Sequence, residues 1–192
     1  MTLSKGTEIP PNFALWCGIS TLATALGRKV WLDRGVFVLY PNFYIILVAA
    51  SGKCRKGTSI RQALKILNNL QPRPNFIAQK LTPEALIDAL GGHETLDDKV
   101  VKTPNKSATG IIVAEELATF LNKRSYEQGL GELLTDLFDC PQEWLYHTKG
   151  GGKLFLNNVC INILSASTPD WLRDAIPQSA IGGGLTSRVI FV

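Results

Sequence analysis

Histidine is scarce in this chain and its cysteines are scattered. His93 and His147 are the two histidines, and Cys17, Cys54, Cys140 and Cys160 lie far apart with no C-x-x-C pair. Zinc sites and disulfide frameworks need closely spaced ligands, so neither is supported, and a reducing compartment is the default. No G-x-S-x-G occurs and neither histidine sits where a base would be recognised, which argues against a serine or cysteine hydrolase. Long apolar runs are missing too. The stretch from Phe13 to Leu26 is interrupted by Thr, Ser and Gly and is too short to cross a bilayer. Lys5 and Glu8 cancel in front of it, unlike the basic flank of a signal peptide. No repeat, low-complexity tract or linker rich in Gly, Pro or Ser divides the chain.

Charge is modest. A net +4 permits contact with phosphates without demanding it. With 45% hydrophobic and 19% charged residues over 192 positions, the balance is that of one globular domain with a buried core. We read residues 1–35 as a helical lead-in and 36–192 as the core of a single unit.

What is present is an alternation of strand and helix signals. "PNFALWCGISTLATALGRKVWL" predicts a helix from Pro11 to about Gly27. "VFVLY" and "FYIILVAA" follow as strands joined at Pro41-Asn42, the second an unbroken apolar run of the kind buried on both faces of a parallel sheet. Ile60, Leu64 and Leu67 recur at helical spacing, predicting a helix from about Thr58 to Leu70. "NFIAQK" predicts a short strand, and "TPEALIDALGG" a helix capped by Thr82, opened by Pro83 and stopped at Gly91. Residues 92–109 are polar and predict a loop.

"GIIVAEELATFLNK" predicts a strand running into a helix, and "YEQGLGELLTDLFDC" another helix. A hairpin turning at Gly150–Gly152 then leads to a buried strand ending in hydroxyls, a short helix "PDWLRDAI" and a last strand in "LTSRVIFV". This alternation predicts an α/β fold of three layers with a largely parallel central sheet.

Four segments carry chemistry. In "ASGKCRKGT", a strand ends in a turn of small residues and a helix follows. Backbone amides can converge on an anion there, Ser51 and Gly52 allowing close approach and Lys56 adding charge, with the helix dipole behind. The usual phosphate loop is G-x-x-x-x-G-K-[ST]. Here Ala49 replaces the first glycine, the loop is one residue longer, Arg55 stands before the lysine, and Gly57 takes the hydroxyl position with Thr58 next. The plain alternative is a basic turn at a helix start. "IIVAEE" ends an apolar strand in Glu115, suited to supporting Mg²⁺, and Glu116, suited to polarising water. The alternative is that both acids cap the next helix.

"INILSASTP" ends a strand in Ser165, Ser167 and Thr168, where a hydroxyl can stand between a Mg²⁺ site and a γ-phosphate or simply cap the helix at Pro169. "GGGLTSRVIFV" presents Arg188 ahead of the last strand, placed to reach a nucleotide on a neighbouring subunit or to be an ordinary surface arginine. Strand–loop–Lys, strand–Glu-Glu, strand–hydroxyl and Arg–strand follow one another in the order that a P-loop ATPase needs.

The segments "FALWCGISTLATALGRKVWL", "YPNFYIILVAASGKCRKGTSI", "GIIVAEELATFL", "ELLTDLFDCPQEW" and "NILSASTPDWLRDAIPQSAIGGGLTSRVIFV" resemble a family of phage and prophage replication ATPases, often fused to primase modules. The resemblance runs from about Phe13 to Val192, and the last strands resemble the replicative-helicase branch of the AAA+ superfamily. It implies a P-loop NTPase core that takes ATP and Mg²⁺. Lys56 would lie on the phosphates with Ser51, Gly52, Gly57 and Thr58 around it, and Thr58 and Glu115 beside the metal. Glu116 would be the catalytic glutamate, Thr168 or Ser167 a sensor, and Arg188 a finger acting in trans. The resemblance also implies a ring-forming homo-oligomer in the cytoplasm of a bacterium or phage-infected host, with single-stranded DNA as partner and no membrane.

At the hairpin, "HTKGGGK" puts Lys149 and Lys153 beside three glycines, a tip able to follow a phosphate backbone or to be a solvated turn. Trp144 and Tyr146 are expected to pack beneath it. No helical lid follows Val192, which predicts a chain cut short at its C-terminus. A DNA-packaging or translocation ATPase would share this core, and a non-hydrolysing module that binds nucleic acid or partner subunits would share the fold.

Overall fold

The computed structural model describes residues 6–77, 82–91, 93–94, 107–147, 153–176 and 184–192. Pro10 and Pro11 open α1 (Pro11–Leu26), with Pro11 at the first helical position where no backbone N–H is needed. A two-stranded hairpin follows, β1 (Leu32–Asp33) and β2 (Val38–Leu39). Next come β3 (Tyr44–Val48), α2 (Lys56–Asn68), β4 (Phe76–Ile77), α3 (Pro83–Ala89) and the short β5 (His93–Glu94). Then follow β6 (Thr109–Ala114), α4 (Lys123–Glu127), α5 (Leu130–Phe138), β7 (Glu143–His147), β8 (Lys153–Asn157), β9 (Cys160–Ser167), α6 (Pro169–Ala175) and β10 (Val189–Phe191).

Five strands form one sheet in the order β10-β3-β9-β6-β4, and every neighbouring pair in it is parallel. The apolar runs explain why. All eight residues of β9 are buried, as are four of the five in β3, so these strands need cover on both faces.

One face packs Ile45, Leu47, Val113 and Leu164 against Phe13 and Cys17 of α1 and Ile60, Ala63 and Leu67 of α2. The other packs Tyr44, Ile46, Ile112 and Ile163 against Leu86 and Ile87 of α3 and Leu130, Leu134 and Leu137 of α5. Tyr44 is fully buried, and its hydroxyl donates to the Leu134 carbonyl at 2.9 Å. A second sheet, β5-β8-β7, is antiparallel. Trp144 and Tyr146 of β7 stack at 5.7 Å and pack against the second core, as the sequence predicts. Among the described residues no helix is long and apolar enough to cross a membrane.

This topology has a switch point. The chain leaves β3 over the face that carries α1 and α2, and leaves β9 over the face where Trp171 and Leu172 of α6 pack. Because β3 and β9 are neighbours, their exits diverge and open a crevice beyond Val48 and Ser167, where open α/β sheets take ligands.

Several boundaries differ from the sequence reading. The 36–40 strand shrinks to Val38–Leu39 and pairs with Leu32–Asp33 outside the main sheet, because Trp31, Leu32, Phe37 and Leu39 face solvent. α2 begins at Lys56, before Thr58, since Arg55 turns the backbone into the left-handed region at φ 49°. The acid pair leads not into a long helix but into a single 3₁₀ turn, Leu117–Thr119. Residues 126–140 are not one helix either: Gly129, at φ 91°, separates α4 from α5. Part of the 92–109 segment is a strand, β5. The Gly150–Gly152 turn and Lys149 lie outside the described residues, and Lys153 opens β8.

At the N-terminal edge of the sheet, Arg28 Nη1 donates to the carbonyls of Cys140 and Val159, both at 2.9 Å. Its Nη2 donates to the Tyr40 hydroxyl at 2.9 Å, and the guanidinium covers the Tyr40 ring at 4.0 Å. Cys140 and Cys160 are both buried free cysteines at this end of the sheet.

Candidate functional site

A cleft of about 460 Å³ occupies the switch point, within the size range of small-molecule sites. Its floor is the turn from Ser51 to Thr58, its far wall is Glu115 to Ala118, and Ala166 to Thr168 with Trp171 close the third side. Ser51, Gly52, Lys56, Gly57, Thr58, Glu115, Glu116 and Thr168, all named from the sequence, are therefore brought together. Arg188 is not among them.

The floor is built by backbone geometry that the sequence hides. Gly52 (φ 69°), Cys54 (φ 59°) and Arg55 (φ 49°) all adopt left-handed conformations. A non-glycine residue there costs about 1–2 kcal/mol, so surrounding contacts must hold the turn. No side chain caps α2, so the helix start that lines the cleft carries N–H groups unmet by any cap. Lys56 Nζ donates to the carbonyls of Ala49 at 2.6 Å and Ala50 at 2.9 Å, so its ammonium folds back on its own loop. Arg55 extends away and pairs with Glu8 at 3.0 Å, both side chains well exposed.

The far wall depends on Gly57. A β-carbon built on Gly57 would fall 2.8 Å from Glu115 Oε2, so the carboxylate fills the space that a serine or threonine side chain normally takes. Glu115 is held by Arg61, whose Nη1 lies 2.6 Å from Glu115 Oε2. Arg61 Nη2 also reaches Thr58 Oγ1 at 3.4 Å. Arg61 was missed by the sequence reading. Its signal is spacing: positions 57, 58 and 61 share one face of a helix, so a basic residue one turn into α2 must overlook the cleft. Lys53 also lines the floor and was likewise missed.

Glu116 begins the 3₁₀ turn without making a side-chain cap, so the capping alternative finds no support for this residue, which lines the cleft. Thr168 does cap: its hydroxyl accepts from the Trp171 N–H at 3.3 Å at the start of α6. Ser165 is buried and donates to the Ala114 carbonyl at 2.8 Å, tying β9 to β6. Ser167, level with Val48 in the sheet, also lines the cleft, and its hydroxyl donates to the Thr168 carbonyl at 3.3 Å.

Arg188 directly precedes β10, whose Val189 is level with Tyr44 at the start of β3. It therefore lies about 15 Å along the strands from the cleft, by the strand rise per residue. At home it pairs with Asp139 at 3.3 Å, donates to the Gly184 carbonyl at 2.9 Å and lies 5.7 Å from the Phe138 ring centroid.

Thr58 and Glu115, the two residues expected to hold Mg²⁺, are both engaged by one guanidinium. Among the described residues no group of three or more His, Cys, Asp and Glu side chains is placed to hold a metal. Comparison with protein-family models and with curated proteins finds no match for this chain.

Proposed function

We propose that this chain is the nucleotide-binding core of a P-loop NTPase of AAA+ type, the motor portion of a phage-like replication helicase acting on DNA. The observation that carries the nucleotide part is the cleft itself. One turn with left-handed backbone, the uncapped start of α2, Lys56, Glu115, Glu116 and Ser167 converge where β3 and β9 diverge. Strand order supports the same reading, because the hydroxyl-bearing β9 lies between the loop strand β3 and the acid strand β6. In this reading Lys56 leaves its loop carbonyls for the phosphate tail of ATP. Glu116 orients the attacking water, and Arg188 of a neighbouring copy stabilises charge in the transition state. The helicase assignment and the DNA partner rest on the family resemblance.

A second reading, a module that binds nucleotide without turning it over, is favoured by the engagement of Thr58 and Glu115 with Arg61. Turnover separates the two. ATP binding and hydrolysis are measured on the wild-type chain and on Lys56→Ala and Glu116→Gln. The motor reading expects hydrolysis that both variants abolish, with binding lost only in Lys56→Ala. Binding without hydrolysis leaves the second reading, and absence of binding removes both.

A further inference from the structure

The geometry points to a cleft that carries its own cation: the Arg61 guanidinium supplies the charge that a divalent metal would bring between Thr58 and Glu115, so a nucleotide's phosphate tail binds here without metal. This rests on the nucleotide-binding reading above and specifies how that site recognises its ligand.

Three relationships converge. First, Arg61 bridges both oxygen donors on which a metal would depend, Glu115 Oε2 at 2.6 Å and Thr58 Oγ1 at 3.4 Å. The first contact is of the short, charge-assisted kind. Magnesium demands near-octahedral oxygen ligands and keeps several of its waters; a carboxylate and a hydroxyl both turned to a guanidinium are not free to take up the metal or those waters.

Second, the position that ordinarily brings the metal-binding hydroxyl is Gly57, and Glu115 Oε2 occupies the room that a side chain there would need. Loss of the hydroxyl and the seating of the acid are thus one arrangement rather than two defects. Third, the arginine is not used up by its partners. A guanidinium has five N–H donors in a fixed fork suited to phosphate oxygens. The Arg61 side chain keeps 58% of its surface open and borders the cleft. With Lys53 and Lys56 it makes three basic side chains against the two carboxylates of Glu115 and Glu116 along the cleft, Arg55 being turned away to Glu8. That excess suits a phosphate tail without metal.

Isothermal titration of ATP into the wild-type chain, once with EDTA and once with excess MgCl₂, tests this directly. The expected result is a dissociation constant that agrees within about threefold between the two buffers. Arg61→Met, which keeps the aliphatic stem, should bind about tenfold or more weakly in EDTA and recover in Mg²⁺, because Glu115 is released. Thermal melting checks that the variant is folded, and the wild-type comparison stands without it. Wild-type binding that weakens about tenfold or more in EDTA overturns the internal cation and leaves the nucleotide reading intact. Failure to bind ATP in either buffer overturns the nucleotide reading and this inference with it.

Discussion

Gly57 and Glu115 are shaped to one another: the carboxylate of Glu115 stands 2.8 Å from where a β-carbon on residue 57 would lie. A side chain at 57 would displace the flexible end of Glu115 and loosen its hold on Arg61. Gly57→Ser should therefore fold normally, gaining about 0.5 kcal/mol because serine suits a helix better than glycine. It should also acquire a Mg²⁺ dependence of ATP affinity that the wild type lacks. Melting curves and paired titrations with and without EDTA read the two effects separately.

Glu116 borders the cleft and makes no cap, so its carboxylate is available to a water molecule. Glu116→Gln should leave ATP affinity within about twofold and lower turnover by about 10²-fold or more, the range lost with a general base. Steady-state hydrolysis together with a binding titration checks the split.

Arg188 is held at home by the Gly184 carbonyl, Asp139 and the Phe138 ring. Its Nε is buried with no partner among the described residues, and its pair with Asp139 is worth only about 0.5 kcal/mol at so exposed a carboxylate. Arg188→Ala should cut turnover by about 10³-fold while ATP affinity holds. Mixing it with Lys56→Ala chains, which keep the arginine but lack a working site, should restore part of the rate. No recovery on mixing would remove the trans role.

Arg28 binds the lead-in to the core through the Cys140 and Val159 carbonyls and the Tyr40 hydroxyl. Arg28→Ala should lower stability by about 2 kcal/mol, the scale of hydrogen bonds made by a charged group. Urea unfolding provides the measurement, with ATP affinity as the control that should not change.

Burial of Cys17 against α2 pushes its thiol up to about 12 from an ordinary value near 9. Between those values the unfolded chain releases a proton that the folded chain keeps, so stability falls as pH rises. One such group contributes up to about 1.4 kcal/mol per pH unit in that window and nothing well below it. Cys17→Ala should therefore lose less stability than the wild type between pH 9 and 11 and show the same pH dependence below pH 8, as read by urea titration at each pH.

The parallel sheet was legible because β3, β6 and β9 are unbroken apolar runs, and Thr82 was legible as a cap because a proline follows it, whereas Thr168, read as a sensor, caps α6. The gathering of Lys56, Glu115 and Glu116 followed from where those strands end. Three things were not legible. Left-handed backbone at Cys54 and Arg55 carries no residue signature, so the start of α2 at Lys56 was read too late. Helix breaks at Gly129 and after Thr119 depend on which side chains find cover in the finished core. The contact of Arg61 with Glu115 joins residues far apart in the chain, and the registers of β3 and β6 on the β9 between them set that distance.

The lie of Arg188 at the starting ends of the strands, with the cleft at their finishing ends, limits how copies can serve one another. Under the proposed trans role, a head-to-tail row of subunits matches that polarity, and whether such a row closes on itself is set by the rotation between neighbours.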